Sequence, residues 1–561
     1  MMLYLDKKHD PAKNRNLLAE VTGQRLDFKK ALAETDQLFQ QNSAAPSVSL
    51  PSASPQPKLP FFQRIKARIF RFFYTIRASS DEPMLNTTVD EMGNPWPEWK
   101  PLLDEEYLHL MNIVREVNVA DFGAVGDGIT DCTEAFEKAF GNGRVIVHVP
   151  EGTYITKGIR LPSFTGLIGK GKGVTTIKLH EKAPKGTRLV TNFHHRKGNR
   201  NILVEGMSLD WNVERLGTAE KTSTWGNHSS CLTFANVSYG WVKNVEGINP
   251  GLHCFDISST LYNYSGDGFR ARGGSQYVWL DLLNGYGFGD DGITTHHSDN
   301  ILITNCHMCD PSGRAHKKGF SNSNGIEVDD GSKNVWLVNN SSTRCFGGVE
   351  IKAHATSSAA CNVQIIGHLS VNDNRSYNFR HIGHHKSTDP ESKTAYNIKA
   401  TNLAALAPIY TDLYKDSEPR GLVVSAYKNV AINHFTLIGD PEYDYRKNPV
   451  IAVQYRSRNV GLHNVNIRHF KKAGIDIKVF GGDNHPEDIA INNIIVHDSA
   501  PQAIHIGSGI LTASIQNIRA TGKNGKAGLV AEQPGTLVSN FRADGYKISV
   551  SIAGDEAKTI S

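Results

Sequence analysis

Three glycine-led segments of the sequence carry acidic, basic and hydroxyl side chains at matching positions. They begin at Gly292, Gly325 and Gly348, and in each of them apolar and polar residues alternate. If the segments are stacked parallel strands, their polar residues share one outer face, because side chains alternate along a strand and neighbouring strands lie about 4.8 Å apart. The columns predicted on that face are Thr294, Glu327 and Glu350, and beside them His296, Asp329 and Lys352.

Further polar residues flank this predicted panel. Asp290 and Asp291 precede it, and His297, Asp330 and His354 follow its strands. Adjacent carboxylates repel each other when both are ionised, which raises one pKa toward that of a general acid, whereas a nearby lysine or histidine keeps another carboxylate charged. Hydrolysis of a glycosidic bond requires one such proton donor together with one base or nucleophile.

We therefore expect a glycoside hydrolase site. The residues expected to act in catalysis are Asp290, Asp291, Glu327, Asp329 and Glu350, and those expected to bind substrate are His296, His297, Lys352, Asp330, His354 and Thr294. Two other functions stay open. One is β-elimination, in which Lys352 or His296 removes a proton next to a uronic carboxylate, and the other is glycan binding without cleavage. The Gly-Asp-Asp sequence is also compatible with a coil corner whose aspartates cap backbone amides.

The segments that must hold this panel repeat along the chain. A polar or small residue, then asparagine, then an alternating apolar strand recurs, often at intervals of about 30 residues. The asparagines of this repeat are Asn201, Asn300, Asn334, Asn362, Asn429 and Asn459. Repetition on this scale, with short strands and no helical pattern between them, indicates an all-β solenoid in which each coil buries its apolar side on its neighbours. We expect the asparagines to form hydrogen-bonded ladders at the corners.

The start of the repetitive region resembles a known family. Residues 118–140, NVADFGAVGDGITDCTEAFEKAF, resemble the opening motif of the pectate-lyase-like superfamily, whose fold is a right-handed, single-stranded parallel β-helix. The resemblance implies a parallel β-helix over 112–545, with a helix near 130–140 that caps the first coil. Members of the superfamily include polygalacturonases, lyases, epimerases and phage tailspikes, so the motif implies the fold and not the reaction.

Two short motifs resemble the polygalacturonase branch of that superfamily. GDDGI at 289–293 is similar to its paired-aspartate motif, and GVEIK at 348–352 to its later Arg-x-Lys motif, with Glu350 in place of the arginine. The resemblance implies that Asp290 and Asp291 are acid and base around a water and that Lys352 contacts substrate. The missing arginine, and the absence of a Gly-His-Gly motif between the two, argue against galacturonate specificity. No cofactor is expected, although an acid-lined panel also suits Ca²⁺, as in related lyases.

The chain before the β-helix has a different character. Residues 1–41 are predicted as a helical segment, 42–58 as a Ser/Pro-rich linker and 59–111 as a basic amphipathic helix with a neck, while 546–561 are predicted as a C-terminal tail. We expect the amphipathic helix to attach the protein to another protein surface or to an oligomer stem. Binding at a membrane interface is the alternative.

Composition excludes several classes of protein. The 561 residues are 39% apolar with a mean hydropathy of −0.36, and no apolar run reaches the roughly 18 residues that predict a membrane-spanning helix. The net charge of +5 is too small to imply nucleic-acid binding by itself, and seven cysteines argue against a disulfide framework. The N-terminus lacks the pattern of a secretory signal.

Taken together, the attachment segment and the β-helix resemble a phage tailspike-type depolymerase. That resemblance implies a protein made in the host cytoplasm, carried in the virion on the phage tail, and acting at the outer surface of the bacterium. The partners it implies are a bacterial surface polysaccharide, a phage tail or baseplate protein bound through the N-terminal segment, and two further copies in a homotrimer. No nucleic-acid partner is expected.

Overall fold

Parallel strands stacked coil upon coil form the main body of the protein. The computed structural model describes residues 3–23, 25–44, 61–78, 83–219, 221–224, 226, 228–262 and 266–557. From Arg115–Asn118 to Thr536–Ile552, strands pair in parallel with the equivalent strands of the neighbouring coils. The predicted parallel β-helix is therefore confirmed.

One face of the stack carries the predicted panel of polar residues and is called the site face here. It consists of short strands, each of which pairs in parallel with the corresponding strand of the neighbouring coil. These strands are β1 (Ile159–Leu161), β2 (Val190–Asn192), β3 (Leu232–Ala235), β4 (Phe255–Ser258), β5 (Ile293–His296), β6 (Asn324–Asp329), β7 (Gly347–Ala353), β8 (Arg375–His381), β9 (Arg420–Ser425), β10 (Pro449–Gln454), β11 (Ile475–Val479) and β12 (Gln502–Ile506). Because this register is unbroken from β1 to β9, residues far apart in sequence share one column along the stack.

The other two faces are formed by strands that often bend from one face into the next. They are Arg115–Asn118, Asp127–Asp131, Val145–His148, Gly152–Thr156, Thr165–Ile168, Thr175–Leu179, Asn199–Asp210, Val237–Ile248, Gln276–Asp281, Asn284–Tyr286, Asp299–Thr304, His307–Cys309, Lys333–Thr343, Cys361–Val371, Tyr396–Leu406, Lys428–Ile438, Arg458–Arg468, Glu487–His497, Ala513–Ala531 and Thr536–Ile552. Short antiparallel pairs add Thr75–Arg77 to Phe269–Ala271, Thr87–Val89 to Pro95–Pro97, and Asp555–Ala557 to the last coil.

Helices lie at one end and along one flank of the stack. They are α1 (Asn14–Thr22), α2 (Phe28–Ala44), α3 (Phe61–Tyr74), α4 (Lys100–Ile113) and α5 (Thr133–Phe140), with short 3-10 helices at Pro11–Lys13, Val119–Phe122 and Val213–Leu216. Within the described ranges, none of the helices combines the length and apolarity needed to cross a bilayer.

Apolar side chains from all three faces fill the inside of the stack. On the site face, Ile293, Ile326 and Val349 are paired in successive coils, and none of them is accessible to solvent. Val328 and Ile351 form the next inward row and are equally buried. The predicted inward set is thus confirmed, which fixes the residues between them on the outer side of the face.

Asparagine ladders stabilise the corners where strands bend. Asn362 donates its side-chain amide to Asn334 over 3.2 Å, Asn397 to Asn362 over 2.9 Å, and Asn429 to Asn397 over 3.0 Å, and Asn459 extends the series over 3.0 Å. All five residues have a positive φ between 51° and 66°. Asparagine suits this corner because it tolerates the left-handed backbone and its amide both donates and accepts. The predicted ladder is confirmed from Asn334 to Asn459, whereas Asn201 donates to Glu106 and not to another asparagine.

Replacing the middle rung should measurably destabilise the stack. Asn397→Ala removes two ladder hydrogen bonds and places alanine at φ 66°, so we expect a loss of about 2–3 kcal/mol in the free energy of unfolding. Asn397→Gly is the matched control, because glycine adopts this φ without strain and loses only the hydrogen bonds. Chemical denaturation should rank wild type, then glycine, then alanine, and an alanine variant as stable as wild type would contradict the role of the ladder.

The two ends of the β-helix differ in part from their predicted bounds. Helix α5 caps the first coil with Ala135, Phe136, Ala139 and Phe140 buried, which confirms the capping helix. At the other end, residues 546–557 do not form a separate tail. Their apolar positions pair with the previous coil, as Ile548 does with Ala527, so the last coil continues to Ile552 and a hairpin strand follows it.

The N-terminal helical segment packs on the β-helix. Gly23 ends α1 in the left-handed conformation, so the predicted single stretch is two helices. Leu18 of α1 packs against Leu369 of the stack, and Phe28 of α2 packs in a cluster with Trp336. Residues 1–41 are therefore not an independent unit where they are described, because their apolar residues are buried on the flank of the coils. Helix α2 continues to Ala44, and the rest of the predicted linker lies outside the described residues.

The predicted basic amphipathic helix is present as α3. Phe62, Phe72 and Phe73 are between 62% and 78% exposed, whereas Arg71 lies over the ring of Phe269 at 4.7 Å. The strand that follows α3 pairs with the β-helix. The attachment role of this helix stays a prediction.

Candidate active site

The two predicted columns of polar residues exist on the site face. In the first column, Thr294 of β5 pairs with Glu327 of β6, and Glu327 pairs with Glu350 of β7. In the second, His296 pairs with Asp329. The register places Lys352 beside Asp329, and its Nζ lies 3.6 Å from Asp329 Oδ2. The alternation of apolar and polar residues was therefore sufficient to predict which residues are neighbours.

Four residues of these columns form the floor of a pocket and not an open wall, namely Glu327, His296, Asp329 and Lys352. None of the six residues is more than 6% exposed, because loops between the coils cover this part of the face. The resulting acidic pocket has a volume of about 450 Å³, and loop residues such as Ser223, His316 and Tyr414 line it. The predicted residues that line it are Asp290, Asp291, His296, Glu327, Asp329, Lys352 and His354.

Asp290 and Asp291 enter the pocket from the turn before β5 and have different partners. Asp290 Oδ2 accepts a hydrogen bond from His316 Nε2 over 3.0 Å, and its side chain is 15% exposed. Asp291 Oδ1 accepts from both the backbone and the side-chain amide of Asn324, each over 3.0 Å. Asp291 Oδ2 lies 3.5 Å from His253 Nε2. The two neighbouring carboxyl groups thus line the same pocket but have different surroundings.

These environments move the two pKa values in opposite directions. Burial raises the pKa of Asp291 well above its usual value, and the charges of Glu327 and Asp290 add to that effect. Burial alone would also raise the pKa of Asp290, but the hydrogen bond and charge of His316 outweigh it and lower that pKa. At neutral pH the pair therefore consists of an ionised Asp290 beside a carboxyl group that holds its proton more tightly.

The second column is an alternating set of charges. Lys352 Nζ lies 2.7 Å from Glu327 Oε1, and His296 Nε2 lies 3.5 Å from Asp329 Oδ2. Burial opposes ionisation of Asp329, yet Lys352 and His296 lower its pKa well below the usual value. Burial raises the pKa of Glu327, and the charges of Asp329, Glu350 and Asp290 add to this effect, whereas the charge of Lys352 opposes it. This agrees with the expectation that one carboxyl group is held charged while a neighbour is pushed toward protonation.

Glu350 and Thr294 do not reach the pocket, contrary to prediction. Both are fully buried. Glu350 accepts from the side-chain amides of Asn324 over 2.8 Å and Asn378 over 2.7 Å, and it is also paired with Arg380. Burial would raise its pKa, but Arg380 and Lys352 lower it. Glu350 is therefore an ionised support for the floor, and Thr294 donates to Glu327 Oε2 over 3.1 Å.

Two of the flanking residues also lie away from the pocket. His297 has a φ of 50°, so the chain turns after β5, and its Nδ1 accepts from the amide of Ala271 over 3.3 Å. Asp330 is fully buried and accepts from the backbone amide of His354 over 3.1 Å and from its Nδ1 over 3.0 Å. Neither reaches the pocket as predicted, because His297 packs on the earlier segment that contains Ala271, and Asp330 is enclosed by the loop after β7, which carries His354 and Ser357. Asp330 instead positions His354, which does line the pocket.

Sequence reasoning missed several residues of the site. The missed residues with charged or amide side chains are His253, Asp256, His316, Asn322, Asn324 and Arg380. Asp256 pairs with Thr294 in the first column, one coil earlier, and its oxygens lie 3.7 Å from His253 Nδ1 and 3.8 Å from His296 Nδ1. The same register argument would have found Asp256. Cys254 stands where the later segments have their leading glycine, so the glycine pattern does not mark this coil.

Asp256 and His296 each favour the charged form of the other. Burial would raise its pKa, but His253 and His296 lower it. Conversely, although burial opposes it, Asp256 and Asp329 raise the pKa of His296 to about 10. His296 is therefore a cation at neutral pH and extends the alternation of charge into the preceding coil.

The acids of the pocket do not form a site that suits Ca²⁺. Ca²⁺ takes six to eight oxygen ligands. Here the ammonium of Lys352 lies between Glu327 and Asp329, at 2.7 Å and 3.6 Å, and histidine nitrogens face the remaining carboxylates. A cation of this protein already occupies the position between these two acids.

Comparisons with known proteins agree with the fold. The family model described as rhamnogalacturonase A/epimerase, pectate lyase-like matches residues 116–350. The phage-related protein YobO of Bacillus subtilis strain 168 is 47% identical over 515 residues, which cover 92% of this chain and 64% of YobO. The pre-neck appendage protein of Bacillus phage phi29 is 40% identical over 447 residues, which cover 78% of this chain and 51% of that protein. The chain thus spans between half and two thirds of these relatives.

A solved structure extends the match to three dimensions. The N-terminal fragment of bacteriophage phi29 gene product 12 superposes with a TM-score of 0.74 at 38% sequence identity, over 79% of this chain and 74% of the fragment. The match therefore covers most of both chains. This chain belongs to the pectate-lyase-like parallel β-helix superfamily and is related to the pre-neck appendage proteins of Bacillus phages.

Proposed function

We propose that this chain is the part of a phage appendage that hydrolyses glycosidic bonds in a polysaccharide of the bacterial surface. The observation that carries the proposal is the pair Asp290 and Asp291, adjacent carboxyl groups on one pocket whose surroundings move their pKa values apart. Such a pair supplies the acid and the base that glycoside hydrolysis needs. The relationship to appendage proteins supports a place in the virion.

In the proposed reaction, Asp291 is the general acid and Asp290 the general base. Asp291 carries its proton because it is buried, and it gives that proton to the glycosidic oxygen as the bond breaks. Asp290, kept ionised by His316, takes a proton from the attacking water. Lys352 and His296 lie beside them as cations that can bind substrate oxygens. The reaction uses side chains and water alone.

The charges of the site favour hydrolysis over β-elimination. Elimination would need Lys352 or His296 as an unprotonated base. Burial lowers the pKa of Lys352, but Asp329, Glu327 and Glu350 outweigh it and raise that pKa well above the usual value. The pKa of His296 is raised to about 10 by Asp256 and Asp329. Both groups therefore hold their protons at neutral pH and are poor bases.

The direct test measures the products released from surface polymers. The relatives come from Bacillus and its phages, so capsule, exopolysaccharide and teichoic acid preparations from Bacillus are the first substrates to try. New reducing ends without the ultraviolet absorbance of an unsaturated sugar would support the proposal. Reducing ends with that absorbance would indicate elimination, and binding to the polymers without release would indicate an adhesin.

The pH dependence of kcat/KM should change when the charge of Glu327 is removed. Asp291 acts only while protonated, so the rate should fall as pH rises through its raised pKa. Glu327→Gln removes one of the charges that raise this pKa, and the alkaline limb of kcat/KM should therefore move to lower pH. Glu442→Gln, at a side chain that is 85% exposed, is the control and should leave the profile unchanged. An alkaline limb at the wild-type position in Glu327→Gln would contradict this assignment.

A further inference from the structure

A second cavity on the site face is lined by positive charge. It has a volume of about 770 Å³ and is formed around β1 and β2. The basic residues that line it are Arg160, Arg188, Arg196, Lys197, His194, His195 and His228, and Lys157, which also lines it, is paired with Asp131. Among the described residues that line this basic cavity, none is acidic.

The basic cavity and the acidic pocket lie on the same column of the stack. Arg160 pairs with Thr191, Thr191 with Thr233, and Thr233 with Asp256. Three strand spacings, or roughly 14 Å, therefore separate Arg160 from Asp256 along the axis, and Glu327 lies two spacings further. A chain molecule laid along the site face meets the basic cavity first and the acidic pocket next.

The chain around Gly186 lies between the two sites. A side chain at Gly186 would contact both Thr224, which lines the acidic pocket, and His228, which lines the basic cavity. Burial lowers the pKa of Arg188, while the charges of Asp256 and Tyr262 at the acidic pocket raise it. Arg188 lines the basic cavity and is within electrostatic reach of Asp256.

The side chains of the basic cavity act on one another. Burial and the charges of Arg188 and Arg160 lower the pKa of His195 to about 4, so this histidine is neutral. Burial and Arg188 also lower the pKa of His228. Cations that line one cavity favour an anionic ligand, and arginine binds carboxylate and phosphate through two parallel hydrogen bonds.

We propose that the basic cavity is an anion-binding subsite and that the polymer cleaved in the acidic pocket is itself anionic. This inference rests on the proposed function and names the substrate class, a glycan that carries carboxylate or phosphodiester groups along its length. The anionic group is held by the cations around Arg160 and Arg196 while a neighbouring sugar unit reaches Asp290 and Asp291. In this proposal the basic cavity binds an anionic group of the polymer, and the acidic pocket cleaves the glycosidic bond.

Isothermal titration of the full chain with three oligomers tests the subsite. The probes are an oligogalacturonate, an oligomer of glycerol phosphate, and an uncharged malto-oligosaccharide of similar length. At least one charged oligomer should bind, more weakly as salt rises, and the uncharged one should not. Whichever charged probe binds identifies carboxylate or phosphodiester as the group recognised. Equal binding of the uncharged oligomer, or no binding of either charged one, would overturn the proposal.

The double variant Arg160→Ala/Arg196→Ala tests whether the charged oligomer binds in the basic cavity. Both side chains are exposed, so their removal leaves the core intact, and the double variant should bind the charged oligomer at least about tenfold more weakly. Arg519→Ala, an exposed arginine on a late coil, is the matched control and should bind as wild type does. Wild-type affinity in the double variant would overturn the subsite.

The two proposals fail in different ways. Charge-dependent binding that needs Arg160 and Arg196, without cleavage of any polymer, would retain the subsite and remove the hydrolase. Cleavage of an uncharged polymer that is unaffected by the double variant would retain the hydrolase and remove the subsite.

Discussion

Asp291→Asn should reduce the release of reducing ends from the cleaved polymer by about 10²- to 10⁴-fold, the range typical for loss of a general acid. The amide cannot donate the proton that Asp291 supplies to the leaving oxygen. The substitution keeps the size of the side chain, and Asn324 can still contact the remaining oxygen. Thermal stability should therefore be unchanged, or slightly higher because a buried acid has been removed.

Controls separate this effect from damage to the fold. Asp498→Asn changes an aspartate near the C-terminal coils, far along the chain from the pocket, and should leave the rate unchanged. The binding of charged oligomers to Asp291→Asn should stay close to wild type, since the basic cavity is untouched. Wild-type turnover in Asp291→Asn would remove this residue from the mechanism.

Ile326→Asp should prevent the chain from folding. Ile326 has no solvent exposure and lies in the inward row between Ile293 and Val349. An aspartate there would be an unpaired buried charge, whose cost of several kcal/mol is comparable to the whole stability of a typical domain of about 5–15 kcal/mol. The expected result is loss of soluble protein or of the cooperative unfolding transition.

Ile326→Val is the control for the loss of side-chain volume. Removing one methylene group should cost only about 0.5–1.5 kcal/mol and leave a folded protein with a lower unfolding midpoint. A soluble Ile326→Asp variant that melts as wild type does would show that residue 326 faces outward. The columns built on Glu327 would then be misassigned by one residue.

The alternation within single strands made the floor of the site predictable. Once Ile326 and Val349 are inward, Glu327 and Glu350 must be outward neighbours, and the repeated asparagine fixes where each coil turns. The capping helix was implied by the resemblance of residues 118–140 to the opening motif of the superfamily, and its buried apolar residues confirm it. The columns of the floor depend on periodicity, which is local and visible in the sequence.

Features set by loops were not predictable from that periodicity. Outward orientation does not imply access to solvent, since Asn322 and Arg380 enclose Glu350 from a loop and from the next coil. His316 donates a hydrogen bond to Asp290 from a loop of irregular conformation. The prediction for His297, which directly follows a strand of the panel, was wrong because its turn has a positive φ and does not continue the alternation of the strand.

The N-terminal segment shows the same limit at a larger scale. The apolar spacing indicated helices with one apolar face, but spacing does not name the surface that covers this face. In the structure the surface is the flank of the β-helix, where Asp36 pairs with Lys399 at 2.6 Å and Thr35 accepts from Asn433 over 3.0 Å. Such contacts join residues more than 350 positions apart and have no local signature.

A structure of the Asp291→Asn variant with an oligosaccharide of the cleaved polymer tests the central claim most directly. The account predicts a glycosidic oxygen within about 2.6–3.2 Å of the side chain at position 291, a water next to Asp290, and the adjoining part of the glycan directed along the site face toward Arg160. An oligosaccharide bound without contact to positions 290 and 291, on another face of the β-helix, would contradict the account.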